Sequence, residues 1–179
     1  MTIVVITGPI ASGKSTVAGE LARQLEEVGI AAAVIDLDVV HDELVAGGLD
    51  GDDASWTLAR RRAAALTNGF CRDGVAVVIA EGSFNVSLDR ADFVSGLDGD
   101  ATALFVTLQV SFEEALRRAH GDPSRGRSRD PAFLGPYFKR RRDVLAAVPS
   151  MDVVIDTERT TAAAAAARIR QHMQATFGR

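Results

Sequence analysis

Residues 7–16 constrain the fold of this 179-residue chain more than any other stretch. They read T-G-P-I-A-S-G-K-S-T, which contains the spacing G-x-x-x-x-G-K-S, and they follow the β-branched apolar run at residues 3–6. An amphipathic helical pattern comes next. A strand, a glycine-containing loop and a helix in this order bind phosphate through backbone N–H groups and the helix N-terminus. The sequence therefore predicts a nucleotide phosphate-binding loop; the alternative is a glycine-rich turn that binds nothing.

Each residue type in the motif has a chemical reason for its position. Gly8 and Gly13 keep side chains out of the wrap around the β-phosphate. Lys14 supplies a cation to the β and γ oxygens, and the Ser15 hydroxyl is placed to ligate Mg²⁺. The loop residues that we expect to bind the nucleotide are Gly8, Ala11, Ser12, Gly13, Lys14, Ser15 and Thr16.

Composition indicates a globular protein outside the membrane. Apolar residues make up 47% of the chain and charged residues 25%, which is usual for a soluble domain. No apolar run is long enough to span a bilayer, and the N-terminus lacks signal-peptide features, so we expect a cytoplasmic protein. The net charge of −4 argues against nucleic-acid binding by the whole chain.

Strand and helix patterns alternate along the whole chain, which predicts one α/β domain over residues 1–179. Strongly apolar strands are expected at residues 3–7, 31–36, 75–80, 102–110 and 152–155. Such strands form a parallel sheet that helices cover on both faces. Ligands bind such sheets at the carboxyl ends of the strands. Residues 8–15, 36–38, 81–83 and 109–111 should therefore lie along one edge.

Two carboxylates mark the end of the second strand. Asp36 and Asp38 would point to the same face of a strand, so one can lie near Mg²⁺ while the other reaches an acceptor hydroxyl. We assign Asp36 to the metal and Asp38 to the acceptor, as base or substrate contact, although either could be the base. Two solvated acids in an acidic loop are the alternative. His41 lines the same pocket or is a surface histidine.

Further polar residues border the expected acceptor cleft. Arg60 heads a run of three arginines on a predicted helix, and one of them can bind an acidic or phosphorylated acceptor. Glu81 ends the third strand and is a candidate for contact with Mg²⁺ or with the acceptor.

A basic segment follows the fourth strand. Residues 117–131 are rich in Arg, Gly, Ser and Pro, a composition that predicts a mobile lid. Arginines on such a lid can close over a nucleotide, neutralise the transferred group and exclude water. Arg117 is our candidate for nucleotide binding and Arg125 for catalysis, although the sequence leaves open which lid arginine contacts the transferred phosphate. A solvated basic loop and an RNA-binding patch are the alternatives.

Together these motifs resemble small-molecule kinases of the P-loop superfamily, in the branch that includes shikimate kinase, gluconate kinase and chloramphenicol phosphotransferase. The shared features are the loop, the Asp-x-Asp pair, the lid and the sequence V-V-I-D-T at residues 153–157. The resemblance implies a three-layer fold with a five-stranded parallel sheet in the order 2-3-1-4-5, and it implies ATP and Mg²⁺. It also implies that Asp156 and Thr157 line the adenine.

The sequence departs from shikimate kinase after the third strand, where A-E-G-S replaces a glycine triplet. The stretch I-D-L-D-V-V-H also resembles dephospho-coenzyme A kinase. The chain has only two lysines and no N-K-x-D guanine motif. We expect an ATP-dependent phosphotransferase that acts on a hydroxyl of a metabolite or antibiotic. A regulatory ATPase that acts through protein contacts and a nucleotide-sugar kinase are the alternatives.

Two variants separate nucleotide use from transfer. Lys14→Ala should abolish ATP turnover, because the cation on the β and γ oxygens is lost. Asp38→Asn should spare ATP binding and lose transfer, because an amide cannot accept the acceptor's proton. ADP release and equilibrium ATP binding measure the two effects. Full transfer by Asp38→Asn with its true acceptor would refute the assignment of this carboxylate.

Overall fold

Five parallel strands form a single sheet in a computed structural model that describes residues 2–99, 101–123 and 125–178. The strand order is β2-β3-β1-β4-β5, which confirms the expected topology. Ser124 of the predicted lid lies outside the described residues. The strands are β1 (Thr2–Thr7), β2 (Ala32–Asp36), β3 (Val77–Gly82), β4 (Ala103–Gln109) and β5 (Val153–Asp156). The helices are α1 (Lys14–Glu26), α2 (Leu37–Ala46), α3 (Asp53–Arg72), α4 (Ser87–Val94), α5 (Phe112–Gly121), α6 (Pro131–Ala146) and α7 (Ala162–Phe177).

The central strand β1 explains why helices cover both faces of the sheet. Successive side chains of a strand point to opposite faces. Ile3 and Val5 belong to one buried cluster, with apolar residues of α2, α3 and α4. Val4 and Ile6 belong to the other, with apolar residues of α1 and α7. Burial of both sets produces the three-layer α/β arrangement, and no helix in the described ranges is long and apolar enough to cross a membrane.

A third, smaller cluster lies above the sheet and joins the phosphate-binding loop to the helices around the lid. Ala11 of the loop, Ala115 of α5 and Leu134 of α6 are its buried members. Tyr137 and Phe138 of α6 pack against it. Helix α6 is therefore held over the loop by apolar contacts. In the described part of the predicted lid segment, a 3₁₀ turn lies at Arg127–Arg129, between α5 and α6.

Two boundaries near the carboxyl edge differ from the sequence prediction. Strand β3 extends to Gly82, so Glu81 lies inside the sheet, where its Cα pairs with Asp36 of β2 and with Ile6 of β1. Strand β2 ends at Asp36, and α2 begins at Leu37. The expectation that Asp36 and Asp38 share one face of a strand is therefore wrong. Asp36 is instead the N-cap of α2, and Asp38 is in its first turn.

Gly82 is required where β3 meets α2. Its φ is +148°, and a Cβ there would lie 2.5 Å from Cβ of Leu37, which is fully buried. Gly82→Ala should lower the free energy of unfolding by about 1–3 kcal/mol, because overpacking and an unfavourable φ act together. Urea denaturation measures the change.

Gly69 provides the matched control. It lies within α3, and a Cβ there would have no atom within 4 Å. Gly69→Ala should raise the free energy of unfolding by about 0.5–1 kcal/mol, because alanine loses less backbone entropy in a helix. Equal effects of the two substitutions would contradict the packing argument.

Candidate functional site

A cavity of about 300 Å³ at the carboxyl edge of the sheet brings together four separate segments of the chain. The phosphate-binding loop forms one side, α2 and β3 contribute one carboxylate each, and the lid covers the opening. The residues that line the cavity are Ile10, Ala11, Gly13, Lys14, Ser15, Thr16, Asp38, Glu81, Arg125 and Ser128. Lys14, Ser15, Asp38, Glu81 and Arg125, which are distant in sequence, therefore meet at one place.

The two glycines of the phosphate-binding loop are needed for different structural reasons. A Cβ on Gly8, whose φ is +151°, would lie 2.6 Å from the carbonyl oxygen of Leu108, so β4 rather than a ligand excludes a side chain there. Gly13 has φ of +91° and is the N-cap of α1, with no side-chain capping hydrogen bond. The first N–H groups of α1 thus have no capping side chain, which leaves them able to bind an anion.

Two polar side chains of the loop are available to phosphate oxygens. Lys14 Nζ is 3.4 Å from the carbonyl oxygen of Pro9 and 3.5 Å from that of Gly8. These weak contacts fold the cation back onto its own loop. Ser12 Oγ is buried and has no hydrogen-bond partner among the described residues. A phosphate group would supply the anion and the acceptor that these two side chains lack.

Glu81 is the most perturbed carboxyl group of the cavity. The residue is 3% exposed, and burial raises its pKa from 4.5 to about 7. A hydrogen bond with the Ser15 side chain and the charge of Lys14 act in the opposite direction, whereas Asp36 and Asp38 raise the pKa further. The Glu81 carboxyl group and the Ser15 hydroxyl thus belong to the same cavity, beside the phosphate-binding loop.

The two aspartates after β2 have separate surroundings. Asp36 Oδ1 accepts hydrogen bonds from the backbone N–H of Asp38 at 2.9 Å and of Val39 at 3.4 Å. This cap engages one oxygen of Asp36. Asp38 lines the cavity and is exposed as a residue, yet burial of its carboxyl group raises its pKa, while the charge of Lys14 lowers it. Asp38 is therefore the carboxylate with free access to a ligand.

The described residues contain no group of three or more His, Cys, Asp or Glu side chains that could hold a metal. Mg²⁺ commonly takes only one or two carboxylates and completes its shell with substrate phosphates and water. The Ser15 hydroxyl and the Glu81 carboxylate provide oxygen donors of that kind. The residues of the cavity therefore fit a Mg²⁺ ion that arrives with a nucleotide.

The lid arginines occupy different positions. Arg125 lines the cavity, and its Nε is 3.1 Å from Asp122 Oδ2. The Arg117 side chain is 72% exposed and pairs with Glu114 at 2.6 Å. The nucleotide role predicted for Arg117 stays a prediction, but the side chain points to solvent in this structure.

Arg118, which the sequence analysis did not single out, contacts the loop instead. Its Nη1 donates to the Ala11 carbonyl oxygen at 3.3 Å and to Thr157 Oγ1 at 3.1 Å, and its Nη2 donates to the Thr157 carbonyl oxygen at 2.6 Å. The spacing along α5 could have indicated this contact, because Arg118 lies three positions after Ala115, which is fully buried, and the two residues therefore share one face of the helix. Arg118 and Thr157 thus border the loop together.

His41 and Arg60 are engaged away from the cavity. The His41 ring is buried, stacks on Trp56 at 3.8 Å, and its Nε2 lies 2.9 Å from Ser55 Oγ. Since Ser55 Oγ donates its proton to the carbonyl of Asp52, His41 Nε2 is the donor of that pair. This ring joins α2 to α3 and is neither a cavity residue nor the surface histidine of the alternative interpretation.

Arg60 is 7% exposed and donates to the carbonyl oxygen of Ser83 at 3.2 Å. Its guanidinium also pairs with Asp89 at 2.9 Å and approaches Asp92 at 3.8 Å. The charge of Arg60 is therefore compensated by α4. Its predicted role as an acceptor ligand is untested.

Sequence comparison assigns the first half of the chain to a known family model, that of adenylylsulphate kinase, which matches residues 1–91. An adenylyl-sulfate kinase of Rippkaea orientalis (strain PCC 8801 / RF-1) is 31% identical over 107 residues. The aligned region covers 59% of this chain and 57% of that relative. The chain thus aligns with little more than half the length of the curated relative.

Solved structures with similar folds include two kinases. The APS kinase CysC of Mycobacterium tuberculosis, in complex with AMPPNP and APS, has a TM-score of 0.65 at 22% identity, with 95% of each chain covered. The shikimate kinase of Acinetobacter baumannii, in complex with shikimate, has a TM-score of 0.62 at 18% identity, with 100% of this chain and 96% of that chain covered. These similarities establish the fold of P-loop small-molecule kinases.

The pKa of Glu81 predicts a pH dependence of stability in the absence of metal. The Glu81 carboxyl group has a pKa of about 7 in the folded chain and of 4.5 in the unfolded chain, so the folded chain binds this proton more tightly. Its stabilising contribution is therefore complete below pH 4.5 and is lost as the pH rises through 7. Between pH 4.5 and pH 8, the free energy of unfolding of the unaltered chain should therefore fall by up to about 3 kcal/mol relative to that of the Glu81→Gln variant.

Urea denaturation of both proteins at pH 4.5, 6, 7 and 8, with EDTA present, measures this difference. Parallel pH profiles for the unaltered chain and the Gln variant would show that Glu81 does not hold a proton in the folded state.

Proposed function

We propose that this chain, which belongs to the adenylylsulphate kinase family, transfers the γ-phosphate of ATP to a hydroxyl group of a small molecule. The observation that carries the proposal is the single cavity that holds Lys14, Ser15, Asp38, Glu81 and Arg125. Phosphoryl transfer requires a bound donor, charge neutralisation and a base within reach of the attacking oxygen. The cavity contains a residue suited to each task.

The donor half of the site is the phosphate-binding loop. Backbone N–H groups at the start of α1 and the Ser12 hydroxyl bind phosphate oxygens, and Lys14 turns from the carbonyls of Gly8 and Pro9 toward the β and γ oxygens. Arg118 contacts the Ala11 carbonyl of the loop and the Thr157 hydroxyl, and Thr157 is a residue that the resemblance implies at the adenine. We therefore assign a nucleotide contact to Arg118, and that of Arg117 stays a prediction.

Glu81 and Ser15 form the metal side of the site. Mg²⁺, when bound with ATP, neutralises phosphate charge and orients the γ-phosphate. The Ser15 hydroxyl and the buried Glu81 carboxylate line the same cavity and together supply hard oxygen ligands. Asp36 is a less suitable ligand than the sequence suggested, because one of its oxygens caps α2. It supports the metal side from the next strand.

Asp38 forms the acceptor half. Its carboxylate reaches the cavity from the first turn of α2, and it is not held by the cap that engages Asp36. A carboxylate in this position orients the acceptor hydroxyl and accepts its proton as the oxygen attacks phosphorus. Arg125, opposite on the lid, neutralises the charge of the transferred group and helps to exclude water.

The first acceptor to test is adenylyl sulfate, because the family and the curated relative take their name from it. The family match covers residues 1–91, which contain the donor half and Asp38. The lid, whose Arg125 and Ser128 line the same cavity, lies beyond that match. An acceptor other than adenylyl sulfate is therefore compatible with everything that supports phosphoryl transfer.

The proposal predicts ADP formation from ATP that depends on both Mg²⁺ and a hydroxyl-bearing acceptor. A coupled assay with adenylyl sulfate, hydroxy acids, sugars, nucleotide sugars and hydroxyl-bearing antibiotics tests it, with ³¹P NMR to identify the phosphorylated product. Lys14→Ala is the inactive control. Steady ATP hydrolysis that no acceptor stimulates, together with nucleotide-dependent protein capture, would instead indicate a regulatory ATPase.

A further inference from the structure

The side chain of His120 joins the two ends of the lid. His120 lies in the last turn of α5, and its Nε2 is 2.8 Å from the carbonyl oxygen of Arg129, shortly before α6 begins. Because a carbonyl oxygen can only accept, the ring nitrogen is the donor of this hydrogen bond. The bond spans nine positions of the chain, and the segment between its ends contains Arg125 and Ser128, which line the cavity.

The carbonyl group that His120 holds belongs to the 3₁₀ turn of the lid. The N–H of Arg129 donates to the carbonyl oxygen of Gly126 at 3.2 Å, and the N–H of Asp130 donates to that of Arg127 at 3.0 Å. Ser128, the middle residue of this turn, is half-buried, whereas Arg127 and Arg129 on either side of it are exposed. A donor that holds the turn in place therefore also fixes which side of it faces the cavity.

Both ends of the lid lie against elements that packing keeps in place. Ala119, next to His120 in α5, is fully buried, and Leu134 of α6 is fully buried in the cluster that includes the phosphate-binding loop. Asp130 caps α6, because its Oδ1 accepts a hydrogen bond from the N–H of Ala132 at 2.8 Å. The hydrogen bond of His120 therefore connects two packed helices and sets the distance between the ends of the lid.

The strength of this hydrogen bond suits a movable element. The bond is exposed, so water competes with it, and its loss should change an equilibrium by about 2- to 10-fold. Inside the lid, Arg125 contacts Asp122, three positions earlier, at 3.1 Å. An effect of this size is too small to decide the fold. It is large enough to change the fraction of molecules in which Arg125 lies at the cavity.

Resting on the proposed function, we propose that His120 is a positioning residue for phosphoryl transfer. It holds the Arg129 carbonyl and thereby keeps Arg125 and Ser128 at the cavity. The charge of Arg125 is then available to the transferred phosphate, and water is kept away from that phosphate. His120 itself is not among the residues that line the cavity. The alternative is a purely structural role, in which His120 only joins α5 to α6.

Limited digestion with trypsin tests the position of the lid without any turnover. Trypsin cleaves after arginine, and Arg125, Arg127 and Arg129 place three such bonds in the lid. His120→Ala should raise the rate of cleavage at these bonds by about 2- to 10-fold, because the turn opens more often. His120→Gln should keep the rate of the unaltered chain, because its amide N–H can donate to the same carbonyl. Mass spectrometry identifies the bonds that are cleaved.

His172→Ala is the matched control. It removes a histidine from α7, a helix that packs on the cluster around α1 through Ile169 and Met173, and it should leave cleavage in the lid unchanged. Equal cleavage rates for His120→Ala and the unaltered chain would overturn the proposal, as would a His120→Gln variant that is cleaved as fast as His120→Ala. Far-UV circular dichroism and the melting temperature establish that all three variants are folded.

Kinetics with any acceptor that the coupled assay identifies provide the second arm. His120→Ala should lower kcat for transfer by about 2- to 10-fold and raise the fraction of ATP that is lost to water, with KM for ATP unchanged because the phosphate-binding loop is intact. His120→Gln should restore both values. An unchanged kcat in His120→Ala would overturn the proposal even if the melting temperature fell, since His120 would then only join the two helices.

The two arms separate this proposal from the proposed function. Digestion with trypsin reports on the His120–Arg129 hydrogen bond even if the chain transfers no phosphate. Absence of transfer by the unaltered chain would count against the proposed function, whereas an unprotected lid in the unaltered chain would count against the role of His120.

Discussion

The burial of the Glu81 carboxyl group is the constraint on which the site depends. This residue near the end of β3 lines the same cavity as Lys14 and Ser15 in the first turn of α1, so the middle of the sheet and the phosphate-binding loop meet there. A carboxyl group that is 3% exposed needs partners for its charge or a proton. Phosphate chemistry supplies such partners in the form of a metal ion and a lysine.

Close approaches at two glycines hold the elements around this carboxyl group in place. Gly8 admits the carbonyl of Leu108, and Gly82 admits the side chain of Leu37. Strands β1, β3 and β4 therefore end at nearly the same level, and α2 begins directly above β3. Asp36 uses its side chain to start α2, which leaves Asp38 as the carboxylate that faces the cavity.

Charge pairing divides the arginines into those that build the structure and those that are available to ligands. Arg60 and Arg90 are largely buried and ion-paired, and the Arg90–Asp152 pair, at 2.6 Å, ties α4 to the start of β5. Arg118 joins α5 to the loop and to Thr157. Arg125 is different, since it lines the cavity. Sequence position alone does not reveal this division.

The sequence by itself determined the phosphate-binding loop and the segments that meet around it, because glycine spacing and the period of apolar residues are local properties that favour strand, loop and helix. The order of the strands in the sheet was implied by the resemblance to P-loop kinases. It predicted that Lys14, Ser15, Asp38, Glu81 and Arg125 come together, and the cavity contains all five. Only the tertiary structure decided which charges are compensated. His41 stacks on Trp56, Arg60 pairs with α4, and Arg118 rather than Arg117 reaches the loop, because each depends on where a helix packs and which side chain faces it there.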